Sequence, residues 1–210
     1  MIIIPDQDAP AYLKCVLGIL AEKVHYAVAD KDHCMKLVED DTGNNPNTLA
    51  SVFITDLPPY AIALNADNLH YSILEQSKRE GIWRNIASYR HVSDYIILAE
   101  VDGKMCHLYI EMKTGYKTNA FIPQLRCARG QLEHLVYLIN KFDHEVMPTE
   151  IVHRFVKFSK LPALKMPTTW QSTGFLPEPP VINDEPDRTY QCFVENGARV
   201  SFPSLLLGMA

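Results

Sequence analysis

A chain of 210 residues with 47% hydrophobic side chains can bury a substantial core and falls within the range of one compact domain. No run approaches the roughly 18 consecutive apolar residues of a membrane span, and Met1-Ile2-Ile3-Ile4-Pro5 is too short and lacks the basic flank of a secretory signal, so a cytoplasmic protein without a membrane partner is expected. The net charge of −5 does not by itself suggest a nucleic-acid binder, and five scattered cysteines (15, 34, 106, 127, 192) without Cys-x-x-Cys spacing argue against a disulfide framework or a zinc knuckle.

Residues 8–30 read as a helix: Asp8 can cap it, Pro10 suits its first turn, and Leu13, Val16, Leu17, Leu20, Val24, Ala27 and Val28 recur at helical spacing. Asp30 is placed to cap a second short helix carrying Cys34, Leu37 and Val38, closed by the turn-forming run from Asp40 to Pro46. Residues 51–55 read as a strand stopped by Pro58-Pro59, and a helix from about 65 to 79 ends near Gly81. Two apolar runs between 94 and 113 flank Asp102-Gly103, a favoured two-residue hairpin turn. A long helix over 122–141 turns Leu125, Leu132, Leu135, Val136 and Ile139 inward. Residues 151–158 read as a strand, and 161–188 as irregular chain, since eight of the 14 prolines lie at or beyond Pro148. Asn196-Gly197 predicts a terminal hairpin between 190–195 and 198–202.

The whole is an α/β chain with a helical N-terminal extension (1–64), a core (65–145) and a proline-rich C-terminal region ending in a hairpin (146–210), packed as one compact domain. The five cysteines read as reduced core residues. Charge is uneven: residues 78–129 carry nine Lys or Arg against five acids, a local +4, leaving −9 for the remainder. A basic middle in an acidic chain suits a phosphate-facing surface, although an ordinary solvated face gives the same count.

With a turn at Asp102-Gly103, Val101 faces Lys104, Ala99 faces Cys106 and Ile97 faces Leu108, which sets Asp94 opposite Glu111. Opposed residues project to one face with Cβ atoms roughly 4.5 to 5.5 Å apart, and Lys113 shares that face by period-two alternation. The reverse face, with Tyr95, Ile97, Ala99 and Val101 against Cys106, Leu108, Ile110 and Met112, is apolar and suited to packing beneath a helix. Two carboxylates that close repel unless a cation neutralises them. Mg²⁺ or Mn²⁺, bound by Asp94, Glu111 and the carbonyl of Met112, is the natural cation, with Lys113 orienting an attacking water. The bland alternative is a surface ion pair worth about 0.2 to 1 kcal/mol. His107, on the face of Glu111, is a candidate supporting partner or simply a structural histidine. No nucleophile elbow, Gly-rich phosphate loop or dinucleotide fingerprint occurs.

An Asp at one strand start, then Glu111-Met112-Lys113 closing the next and a helix after it, resembles the PD-(D/E)XK nuclease superfamily; Glu111-Met112-Lys113-Thr114-Gly115 is similar to its RecB-like members. That resemblance implies a restriction-endonuclease-like fold over roughly 65–140, a mixed central sheet flanked by helices. It also implies Asp94 and Glu111 as metal ligands, Lys113 as the catalytic lysine, and an acid on the preceding helix, Glu75 before Glu80, completing the site. The RecB-like Gln and Tyr four residues apart are absent: Gln131 is followed at that spacing by Leu135. Gln124 or Gln131 can still reach the site from one helix face, and Lys117, Arg126 and Arg129 are candidates for backbone phosphates, with Arg129 and Glu133 also an ordinary i,i+4 pair. The expected function is a metal-dependent nuclease in restriction, defence or repair, with DNA ahead of RNA as its substrate and the choice between them left open, as is pairing as a homodimer or with a partner protein. A catalytically silent domain of the same fold that binds nucleic acid or protein is the alternative.

Overall fold

The computed structural model describes residues 8–20, 26–28, 32–38, 49–66, 69, 92–113, 121–160 and 182–209. A first helix, α1 (Ala11–Ile19), precedes four strands: β1 (Tyr26–Val28), β2 (Met35–Val38), β3 (Ser51–Thr55) and β4 (Ile62–Asn65). β5 (Tyr95–Val101) and β6 (Lys104–Lys113) follow, then the long helix α2 (Ile122–Phe142), then β7 (Ile151–Lys160), β8 (Tyr190–Val194) and β9 (Ala198–Ser201). The strands form two mixed sheets, one of six in the order β1-β4-β5-β6-β7-β8 and one of three in the order β2-β3-β9. The chain is therefore mixed α/β, and among its described residues no helix is long and apolar enough to cross a membrane.

The central hairpin forms in the expected register, with Val101 opposite Lys104, Ala99 opposite Cys106 and Ile97 opposite Leu108. Its turn has positive φ at both Asp102 (50°) and Gly103 (76°), the backbone that Asp-Gly accepts and that matches the twist of the flanking strands. β6 then leaves through α2 and returns as β7, parallel to it, and β8 adds a further parallel strand. Parallel neighbours need such a crossover, and a helix is its usual form.

Among the described residues, α1 and α2 lie on one face of the six-stranded sheet. Tyr12, Leu13, Val16 and Leu17 of α1 and Leu125, Ala128, Leu132 and Ile139 of α2 pack on Ile62, Leu64, Ile96, Leu98, Tyr109 and Phe155. Each such aliphatic side chain contributes about 1.5 to 3 kcal/mol by its burial. The other face is covered differently from the expectation. Among the described residues it is the small sheet and the turn Phe202–Leu205, not a helix, that cover it, with Met35, Leu37, Val52, Ile54, Phe202 and Leu205 against Ile97, Ala99, Leu108, Ile110 and Met112. A flat apolar face accepts either partner, so its pattern alone does not choose between them. Tyr95 joins the two sheets, its hydroxyl donating to Val38 O at 2.5 Å and accepting Val38 N–H at 3.1 Å.

Three other expectations are corrected. The helix expected over 8–30 ends at Ile19, and Tyr26–Val28 pairs antiparallel with β4 as a strand. The short helix expected around Cys34 to Val38 is strand β2, with Met35 and Leu37 inward and Lys36 and Val38 outward against β3. In runs of three or four residues the helical and strand periods are indistinguishable, and the available partner strand decides. Residues 190–202 do not form a hairpin: β8 pairs with β7 in the large sheet, β9 with β3 in the small one. The turn between them is nonetheless real. Gly197 has φ of 74°, its N–H donates to Ser51 O at 2.9 Å, and Asn196 Oδ1 accepts the Ala50 N–H at 2.6 Å. It moves the chain from one sheet to the other.

The helix expected over 65–79 begins inside β4 at Asn65; Ala66 and Leu69 are helical, and the remainder lies outside the described residues. Of the irregular stretch expected over 161–188, only 182–188 is described, and it closes on a turn of 3-10 helix, Pro186–Arg188. None of the five cysteines is in a disulfide; four are buried and Cys15 is half-buried.

Candidate functional site at the ends of strands β5 to β7

The ladder between β5 and β6 closes at Tyr95 opposite Ile110, and Asp94 sits in a bend one residue before it. Asp94 therefore does not stand directly across from Glu111 as a strand residue. Its carboxylate accepts the backbone N–H of Met112 at 2.5 Å, taking the place a strand carbonyl would fill had β5 run on. A buried N–H left without a partner is costly, and a carboxylate is a strong acceptor for it. This bond fixes Asp94 one peptide away from Glu111. Its own carbonyl accepts Ala66 N–H at 3.0 Å, which ties the bend to the end of β4.

Glu111 has no exposed surface. Lys113, two residues on and hence on the same face, brings its ammonium nitrogen within 2.6 Å of Glu111 Oε1 while remaining 38% exposed. The carboxylate is thus sealed on one side and reached from solvent through Lys113. The parallel register sets Lys157 of β7 beside Glu111 and Ser159 beside Lys113, all on the helix-covered face. Lys157 is 2% exposed, and its ammonium lies 4.6 Å from the centre of the Phe121 ring, where α2 begins. Burial pushes Lys157 below the ordinary lysine range; Glu111 opposes that shift and Lys113 adds to it. Two carboxylates and two lysines thus meet where β5 to β7 approach the start of α2.

Lys157 and Ser159 are the residues sequence reasoning missed. The signal available was a lysine and a serine alternating with the apolar Val156 and Phe158 in the second half of the strand. Which strand would lie beside them, and in what register, leaves no local mark.

The other candidates are placed as follows. Glu75, Glu80 and Lys117 lie outside the described residues. Gln124 is half-buried in the first turn of α2, and Gln131, buried two turns on, donates to Cys127 Sγ at 3.6 Å. Arg126 pairs with Asp187 at 2.5 Å, and Arg129 with Glu133 at 2.7 Å and Glu185 at 2.9 Å, so both arginines fasten α2 to the segment before β8. A phosphate would have to displace these carboxylates. His107 is separated from Glu111 by Tyr109 on the same face; its Nε2 lies 3.2 Å from Tyr12 Oη, and its ring meets that of His153 edge-on. It serves the packing of α1.

As donors for a metal, Asp94, Glu111 and the Met112 carbonyl offer hard oxygens of the kind Mg²⁺ takes, and one or two carboxylates suffice because that ion keeps its waters. Among the described residues no three of His, Cys, Asp and Glu converge as a ligand set. The donor chemistry fits Mg²⁺ or Mn²⁺ and not a zinc site. Comparison with family models, with curated proteins and with solved structures finds no match in any of the three.

Proposed function

We propose that the chain is a hydrolase of the restriction-endonuclease-like class, and more particularly a Mg²⁺-dependent nuclease of PD-(D/E)XK type that cuts DNA phosphodiesters. The observation that carries the reading is the meeting of Asp94, Glu111 and Lys113 at one end of the β5–β6 hairpin, with Asp94 on the Met112 N–H and Lys113 on Glu111. The reading draws further support from a mixed sheet whose site-bearing face is covered by α1 and α2, while the small sheet, not a helix, lies on the other face among the described residues. Asp94, Glu111 and the Met112 carbonyl would hold the ion, which supplies Lewis-acid stabilisation and a water of lowered pKa. Lys113, the partly exposed member, faces the substrate, orients the attacking water and offsets negative charge gathering on the phosphoryl oxygens. Tyr109 and the helices behind Glu111 exclude water from the carboxylate's rear, which strengthens its hold on any cation in front of it.

The test is incubation of wild type and of Lys113→Ala with plasmid, linear DNA and RNA, in Mg²⁺ and in chelator. Metal-dependent cleavage of DNA is expected, reduced on the order of 10²- to 10³-fold in Lys113→Ala. Cleavage that survives that substitution unchanged removes Lys113 from the mechanism and with it the assignment.

One observation favours a second reading. The charges of Asp94, Glu111, Lys113 and Lys157 cancel formally without any ion, as in a catalytically silent domain of this class that binds nucleic acid or a protein partner. Titration with Mn²⁺ separates the two, since the enzyme binds the ion through Asp94 and Glu111 and loses it in Asp94→Asn.

A further inference from the structure

Ser159 holds a hydroxyl that no described residue engages. The residue is 2% exposed, and its Oγ meets no hydrogen-bond partner among the described residues. A buried hydroxyl in that state costs folding free energy, and alanine would occupy the same place without the cost. In the β6–β7 register Ser159 lies beside Lys113, one position beyond the Glu111 and Lys157 pair. An ammonium that reaches solvent, a second ammonium and an unsatisfied hydroxyl therefore gather at the carboxyl ends of two adjacent parallel strands. That end of an open α/β sheet is where ligands are taken.

These three groups share one chemistry: all can donate hydrogen bonds to oxygen, and two carry positive charge. The complement is an oxyanion, and a phosphodiester presents such oxygens to hydroxyl and ammonium donors. We infer that Lys113, Lys157 and Ser159 form a phosphate-binding subsite, in which the Ser159 hydroxyl donates to a non-bridging oxygen and the two lysines carry the charge. The subsite rests on the nuclease reading only for placing that phosphate within a nucleic-acid chain. It extends the candidate centre by one strand, from the hairpin onto β7, and gives Lys157 a role beyond balancing Glu111. With two lysines against two carboxylates, the centre carries no formal excess of negative charge to repel the anion.

The experiment uses the full chain in chelator with a fluorescent six-nucleotide DNA strand and, as its control, the same sequence with neutral methylphosphonate linkages. Ser159→Ala is expected to weaken binding of the phosphodiester strand roughly tenfold, the worth of one hydrogen bond to a charged oxygen, while its melting temperature holds or rises. The neutral strand should bind weakly and equally to both proteins. Lys157→Arg, which keeps the charge, should retain more affinity than Lys157→Met. Equal affinity of wild type and Ser159→Ala for the phosphodiester strand overturns the subsite, as does failure of the wild type to bind it. A fall in melting temperature in Ser159→Ala shows a structural hydroxyl and overturns it too. Binding that weakens in Ser159→Ala in a protein that cleaves nothing with Mg²⁺ keeps the subsite and sinks the hydrolase. Cleavage with unaltered affinity in Ser159→Ala does the reverse.

Discussion

A carboxylate without exposed surface persists inside a sheet only where cations stand against it. Glu111 is such a group, with the Lys113 ammonium at 2.6 Å and Lys157 beside it on the next strand. Its removal leaves Lys157 buried beside Lys113 with no carboxylate between them. Glu111→Ala is therefore expected to lower the unfolding free energy by about 3 to 5 kcal/mol, the cost of breaking a buried pair from one side, measured by urea denaturation at pH 7. A loss below about 1 kcal/mol, the range of exposed pairs, would mean that these charges sit in solvent. The relation of Glu111 to Lys113 was legible in the sequence because residues two apart on one strand share a face. Asp94 was legible as a partner but not in its manner of engagement. The strand stops one residue short of it, and only the unpaired end of β6 explains why its carboxylate turns to Met112 N–H.

Between elements, the contact most exposed to pH is the stack that seats α1 on the sheet. Tyr12 Oη lies 3.2 Å from His107 Nε2, the two rings stack, and Tyr109 Oη lies 3.1 Å from His153 Nδ1. Burial pushes His107 well below its ordinary value of 6.5, and neighbouring His153 pushes it further. Burial also lowers His153, with Arg129 adding to the shift and Glu133 and Glu185 opposing it. Folded imidazoles thus hold a proton less tightly than unfolded ones. The stability they permit is complete above about pH 6.5 and is lost as pH falls through the lowered folded values. The urea midpoint is expected to drop between pH 7.5 and pH 5, and His107→Phe to flatten that dependence; an equally steep drop in the variant would assign it elsewhere. The hairpin, α2, β3 and β7 were legible because their periodicity runs long enough or their turn chemistry is specific. The strands β1, β2 and β4 were not, being three or four residues long and defined by the neighbour that pairs with them.

At the scale of the whole molecule the C-terminal residues serve both sheets. β8 completes one edge of the large sheet, β9 one edge of the small one, and Phe202 and Leu205 are buried between the layers. Truncation after residue 189 should expose the apolar face of β7 and strip β3 of its parallel partner. Such a protein is expected to bind a hydrophobic dye strongly and to lose its cooperative thermal transition; a truncated chain that still melts cooperatively would show that the layers stand without this closure. None of this sheet order was legible, because parallel pairing between distant segments leaves no short-range sequence mark. The Asn196-Gly197 turn, for instance, carries the same dipeptide whether it joins two strands of a hairpin or hands the chain to another sheet.

The pairing of β3 with β9 has a consequence in time. Asn196 fastens to Ala50 across 146 positions of chain. During synthesis β3, alternating Val52 and Ile54 with Phe53, therefore emerges from the ribosome long before the strand that will shield it. Throughout that interval the nascent polypeptide carries an open apolar edge of the kind that seeds aggregation, so slower elongation ahead of β9 is expected to lower its soluble yield and a chaperone that holds the edge to restore it.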